Sequence, residues 1–380
     1  MARRESTSAK SLPLPDEVVL VLQGGGALGS YQAGVYEALA AIDIEIDRVA
    51  GISIGAINSA IIAGNPPERR VERLRAFWDR MTSALPSFPI WPNDQLREFI
   101  HEWSAGFVAT VGVPGFFRPR LVPAPFACPG SDDALSFYDS SALAETLDAL
   151  VDWDLLNDGP VRLSVGAVDV ESGNFDYFDT RGPRKQRIDA RHIMASGALP
   201  PGLPPIRIGE RLWWDGGLVS NTPLAEVIAD QREDMLVFQV DLFSAANQAP
   251  RTIMDVMARA KEIQYSSRTR QITDQLMRQR AEHAAIARLL AKLPPELEND
   301  PDVAELRCIA SEHALNIVHL IYRANAWEGG SRDFEFSRRT MLEHWEAGRA
   351  AVEATISRAG LLARNIIDGR SATFDLTNHR

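Results

Sequence analysis

The segment Gly51-Ile52-Ser53-Ile54-Gly55 carries the residues best suited to chemistry. A serine with glycines two positions before and two after it fits a sharp turn. There a nucleophile is held in a strained backbone conformation and neighbouring side chains would collide. Arg48 to Gly51 reads as a short strand in front of it, and Gly55 to Ala63 as a helix of small residues behind it. That context aims the Ser53 hydroxyl out above a sheet, beside a helix N-terminus whose amides favour developing negative charge. The competing reading is a structural tight turn, because G-x-S-x-G also arises by chance.

A serine hydroxyl is a poor nucleophile until a base takes its proton. His101 falls in a proline-rich stretch, His283 and His344 in helical runs, His313 and His319 in the C-terminal region, and His379 at the tail. His192 comes before the best acid, whereas the usual hydrolase order is serine, acid, histidine. Each histidine reads as structural or solvated. The acid that stands out is Asp215, within Trp213-Trp214-Asp215-Gly216-Gly217. Two glycines after the carboxylate allow close backbone approach. A desolvated carboxylate there acts on a serine directly, provided it is ionised at working pH. Read alone, Asp-Gly-Gly is equally a turn.

Gly24-Gly25-Gly26-Ala27-Leu28-Gly29 follows a first strand, Val18 to Leu22, and opens a helix, Ser30 to Ala41. Two readings compete for it. Gly24, Gly26 and Gly29 satisfy G-x-G-x-x-G, with a pyrophosphate at the helix N-terminus of a dinucleotide-binding oxidoreductase. That reading wants an acid at the end of the second strand, but Asp43, Glu45 and Asp47 precede that strand and its end carries Ser53. The other reading is an oxyanion hole, in which side-chain-free amides donate to the anionic oxygen of a tetrahedral intermediate.

The elements that must position these groups alternate strand, helix, strand, helix, which implies a parallel sheet with right-handed crossovers. Arg162 to Val170 and Met235 to Val240 read as further buried strands, and Phe175 to Phe178 as an antiparallel partner after the Ser172-Gly173-Asn174 turn. The sheet is expected to run to about residue 245. Residues 1–16 read as a disordered arm and 17–245 as an α/β catalytic domain. Residues 246–380 read as a mainly helical C-terminal domain, with a helix from Arg251 to Leu293, a strand pair over Cys308 to Tyr322 and a helix from Phe336 to Leu362. Between Pro86 and Pro129 lie eight prolines and eight aromatics, so 86–130 is a candidate cap over a binding site.

The chain of 380 residues, 45% hydrophobic and 24% charged, has room for a large core plus an appendage and is not composed like a disordered chain. A net charge of −11 disfavours nucleic acid as a partner. Cys128 and Cys308, the two cysteines, support neither a disulfide framework nor a paired-cysteine metal site, so a reducing compartment fits. Neither a signal peptide nor a transmembrane helix is read, because the run VVLVLQGGG is too short. A cytoplasmic location is expected. The segment 251–293 carries nine Lys/Arg against four Asp/Glu, and its stripe of Ile253, Val256, Met257, Ala260 and Ile263 suggests peripheral docking on anionic lipid. The alternative is that this stripe packs on the neighbouring domain.

Three motifs in this order, GGGALG at 24–29, GISIG at 51–55 and DGG at 215–217, resemble those of the patatin-like phospholipases. Gly34, Ala195-Ser196 with Pro200 and Pro204-Pro205, and Asn221 with Pro223-Leu224 are similar to the same family, and the resemblance covers about residues 18–245. It implies a three-layer α/β/α fold around a mostly parallel sheet. It also implies that Ser53 is the nucleophile, Asp215 the general base of a Ser-Asp dyad, and the loop of Gly24, Gly25 and Gly26 the oxyanion hole. Gly29, Gly51, Gly55, Gly216 and Gly217 are then motif glycines. Many relatives carry Arg or Lys where this chain has Leu28, which removes an anion contact. The last 130 or so residues look similar to an extension on some bacterial members. The activity implied is lipid acyl-ester hydrolysis through an acyl-enzyme, without metal or organic cofactor. Thioester or storage-polyester hydrolysis by the same dyad, and a non-catalytic lipid-binding or scaffold role, are the alternatives.

Overall fold

The computed structural model describes residues 12–84, 94–247, 249–250, 253–310, 313–325, 328 and 330–377. Residues 1–11 of the expected arm, 86–93 of the expected cap and His379 lie outside them. The chain opens with β1 (Glu17–Leu22), α1 (Gly29–Ala41), β2 (Arg48–Gly51), α2 (Ile54–Ala63) and α3 (Pro67–Met81). The region read as a cap holds α4 (Asp94–Val111) and β3 (Arg118–Pro119), which pairs with β4 (Tyr138–Asp139). Next come α5 (Ala142–Leu150), α6 (Trp153–Asp158), β5 (Arg162–Asp169), β6 (Phe175–Asp179) and α7 (Ala190–Ser196). After β7 (Ile206–Ile208), β8 (Arg211–Asp215), α8 (Leu224–Ala229) and β9 (Met235–Asp241), the chain enters α9 (Ile253–Leu290). It finishes with α10 (Pro301–Ala310), β10 (Leu315–Ile321), α11 (Arg338–Ser357), α12 (Gly360–Ile367) and β11 (Ala372–Phe374).

The main sheet runs β11-β10-β9-β1-β2-β5-β8-β7, with β6 on the other edge of β5. The six strands from β11 to β5 are parallel to one another. β1 shows why it sits at the centre. Val18, Leu20 and Leu22 face one core with α1, α2 and α3, while Val19 and Val21 face a second core with Leu224 and Val227 of α8. A strand apolar on both faces is what a parallel sheet between two helical layers requires. The α/β/α architecture is therefore as expected.

The expected limit near residue 245 needs correction. β10 pairs with β9 in parallel and β11 with β10, so the region after 245 is helical but also donates two strands to the same sheet. Without β10, the fully buried β9 would be a sheet edge. The expected strand pair over 308–322 is one strand preceded by helix. α11 crosses α1 so closely that a Cβ on Gly34 would lie 1.9 Å from the Trp345 carbonyl, and one on Gly348 2.1 Å from that of Tyr31.

Candidate active site

Ser53 sits between β2 and α2 with φ 56° and ψ −124°, a conformation that costs a non-glycine residue about 1–3 kcal/mol. The strain is held by packing around it. A Cβ on Gly55 would lie 2.3 Å from the Leu22 carbonyl, so α2 can start this close to β1 only from a glycine. The Ser53 amide donates to Ser196 Oγ at 3.0 Å, and that hydroxyl donates to the Gly166 carbonyl at 2.6 Å. The Ser53 side chain makes no cap for α2. Its hydroxyl instead lies beside the Asp215 carboxylate and favours the anion there.

Asp215 arrives from 162 residues further on because β8 pairs antiparallel with β5, placing it opposite Ala167. Gly217 donates its amide to Asp215 Oδ1 at 2.7 Å, and a Cβ on Gly216 would lie 2.7 Å from the Gly166 carbonyl. Asp215 is 3% exposed. Burial pushes its pKa up to about 7, outweighing the hydrogen bonds from Gly217 and Ser53 that favour the anion. The group is thus poised as a base near neutral pH.

The glycine loop closes the site from the other side. The Gly24 amide donates to the Asn221 carbonyl at 3.2 Å. The free amides are those of Gly25 and Gly26: no hydrogen bond from either is found among the described residues. Gly26 has φ +56°, and a Cβ there would lie 2.3 Å from the Asp333 carbonyl. Beneath the loop Gln23 accepts from the amides of Leu242 and Phe243 and donates to Thr222. Gln32 donates to the Gln23 carbonyl and accepts from Asn58. Asn221 Nδ2 donates to the Gly24 carbonyl at 2.9 Å. This buried polar network fixes the loop. Of it, only Asn221 and Ser196 carried a signal in sequence, beside prolines and small residues. Gln23, Gln32 and Asn58 look like ordinary polar positions until their burial is known.

A cavity of about 310 Å³ opens on Ser53, Asp215 and the glycine loop. Phe116, Phe117 and Tyr138 form one wall and the 199–203 turn another. The third comes from beyond residue 245: Lys261, Tyr265, Phe334 and Phe336. Lys261 pairs with Asp333. Burial and then the Asp215 charge push Tyr265 up to about 12, so it is a neutral phenol. No histidine among the described residues lines this cavity. His192 caps α7 with Asp189, His101 meets Glu335 and Thr340, and His344 meets Glu328. His313 and His319 face Asp234 and Asp241, and His283 lines a different cavity, beside α8. No group of three or more metal-ligating side chains is found among the described residues.

A mostly parallel sheet between two helical layers, with a strained serine and a buried aspartate lining one cavity, defines the class. The patatin-like phospholipase model matches residues 20–228, more than half of the chain, and a second model, described as patatin phospholipase, matches 263–366. The chain belongs to the patatin-like phospholipase family. It is 27% identical over 246 residues to lysophospholipase NTE1 of Kluyveromyces lactis, covering 63% of this chain and 13% of that one. It is 28% identical over 228 residues to an uncharacterized NTE family protein of Mycobacterium tuberculosis, covering 59% and 30%. The chain therefore spans less than a third of the length of these relatives. Among solved structures it is similar to human GIVD cytosolic phospholipase A2, at TM-score 0.45 and 13% identity over 94% of this chain and 61% of that one. VipD from Legionella pneumophila matches at TM-score 0.36 and 15% identity over 91% and 72%.

Proposed function

We propose that this protein is a serine hydrolase that cleaves carboxylic esters of lipids through an acyl-enzyme on Ser53. The observation that carries the reading is a strained Ser53 and a buried Asp215 side by side in the lining of an apolar cavity. Asp215 takes the hydroxyl proton as Ser53 Oγ attacks the ester carbonyl, and the Gly25 and Gly26 amides hold the oxyanion. Collapse expels the alcohol, which takes the proton from Asp215. Water then gives a proton to Asp215 and attacks the acyl-enzyme. The second tetrahedral intermediate releases the fatty acid, and the proton returns to Ser53. A thioester would follow the same steps.

Asp215 must be ionised to act as base. With its pKa near 7, log(kcat/KM) for a chromogenic ester is expected to fall with unit slope below about pH 7 and to level off above it. A profile that is flat from pH 5 to 9 would count against Asp215 as the base.

Contact with a membrane surface belongs to the same reading. Ile253, Val256, Met257 and Ile263 of α9 are exposed rather than packed on the neighbouring layer, and the 251–293 segment is basic. No described helix is long and apolar enough to cross a membrane, so a docking role rests on this surface. The full chain is expected to co-sediment with anionic vesicles, and Ile253→Ser/Met257→Ser to lose most of that binding. Equal sedimentation of both proteins would eliminate the idea.

A further inference from the structure

We infer that Phe336, together with Phe116 and Phe117, is a fixed end wall that sets the longest acyl chain the site accepts. The inference rests on the acyl-hydrolase reading of the cavity. The aromatic lining of that cavity is largely buried: Phe116, Phe117 and Phe336 are 7%, 8% and 4% exposed, against 44% for Phe334. These three rings are apolar surface against which an acyl chain leaving Ser53 would lie. The rings pack on one another edge to face, with centroids 5.4 Å apart for Phe116 and Phe117 and 6.4 Å for Phe116 and Phe336.

The wall is braced rather than mobile. Glu335, next to Phe336, is 2% exposed and accepts from Ser104 of α4. It also accepts from the Ser337 amide at 3.1 Å and the Ser337 hydroxyl at 3.0 Å, and Ser337 in turn caps α11. On the facing side, Val113 and Phe117 form a backbone bridge that holds Phe117. The backbone segments that carry Phe117 and Phe336 are thus held in place from both sides. At about 30 Å³ per water-sized group, close in size to a methylene, the 310 Å³ shared by the chain and the reacting ester holds at most about ten such groups. Two of the three rings lie in the region read as a cap and the third in the C-terminal region, so the stop is assembled from both.

The test is kcat/KM for p-nitrophenyl esters from butanoyl to hexadecanoyl with the full-length protein. The wild type is expected to fall off beyond about ten carbons. Phe336→Ala is expected to gain at least ~10-fold for hexadecanoyl relative to octanoyl, the discrimination that one or more methylenes carry in an apolar pocket. Phe336→Trp, which fills rather than empties the position, is expected to cut the profile back to shorter chains, and it decides the matter if the alanine variant lacks the wild-type circular dichroism. Variant profiles that superimpose on the wild type would overturn the wall while leaving the hydrolase reading intact. A wild type that hydrolyses none of the esters would overturn the hydrolase reading and the wall with it.

Discussion

Replacing Ser53 by alanine is expected to lower kcat for an acyl ester by ~10⁴-fold or more, because the acyl-enzyme can no longer form. Asp215→Asn is expected to cost about 10³–10⁴-fold, since among the described residues no histidine lines the cavity to replace it as base. The double variant should be no worse than Ser53→Ala alone, because two groups acting as a unit are not additive. Asp215→Asn also carries an opposite effect on stability. The folded-state pKa of Asp215 is raised from 3.8 to about 7, so the folded chain binds the proton more tightly than the unfolded chain. Stability is full below about pH 4 and declines as pH rises through that window, by up to about 4 kcal/mol above it. Asparagine keeps an acceptor for the Gly217 amide and carries no charge. Its Tm should exceed that of the wild type by several degrees at pH 8, and the gain should vanish near pH 4. A variant that is inactive and no more stable at pH 8 would show that burial of the charge is not what poises this base.

Gly34→Val is expected to destabilise the protein by about 3 kcal/mol or more, at the upper end for overpacking, because the added Cβ meets the Trp345 carbonyl at 1.9 Å. The obstacle is backbone in a well-packed helix and cannot rotate away as a side chain would. A chain ending at residue 245 should do worse and lack a cooperative thermal transition. It would lose the partner of β9, the helix on α1 and the Asp333 carbonyl over Gly26. A 245-residue protein that melts cooperatively and hydrolyses esters would instead make the C-terminal region an independent appendage.

The contrast between these two regions explains what the sequence could disclose. Ser53 and the glycine loop are local features: strand, glycine and helix lie within a few residues, so turn geometry follows from residue type alone. The Asp215 motif is local too, but its meeting with Ser53 depends on the antiparallel pairing of β8 with β5, which no local pattern states. The Ser196 brace and the Gln23-Gln32-Asn58 network depend on burial, and their residue types alone do not show it. β10, an apolar run of Leu315 to Ile321, reads as strand, yet its neighbour could not be assigned. The three residues of β11 are too few to show a period. For the same reason Phe336 reads as the start of a helix, although it lies one residue before the α11 cap and faces a site built mostly from residues before 245.

The nucleophile can be read directly by treating the full-length protein with an alkyl fluorophosphonate, digesting it and locating the adduct by mass spectrometry. The expected result is one stoichiometric adduct, on Ser53, absent from Ser53→Ala and formed far more slowly in Asp215→Asn. An adduct on any other residue, or equal labelling of wild type and Ser53→Ala, would contradict a Ser53-Asp215 dyad at this site.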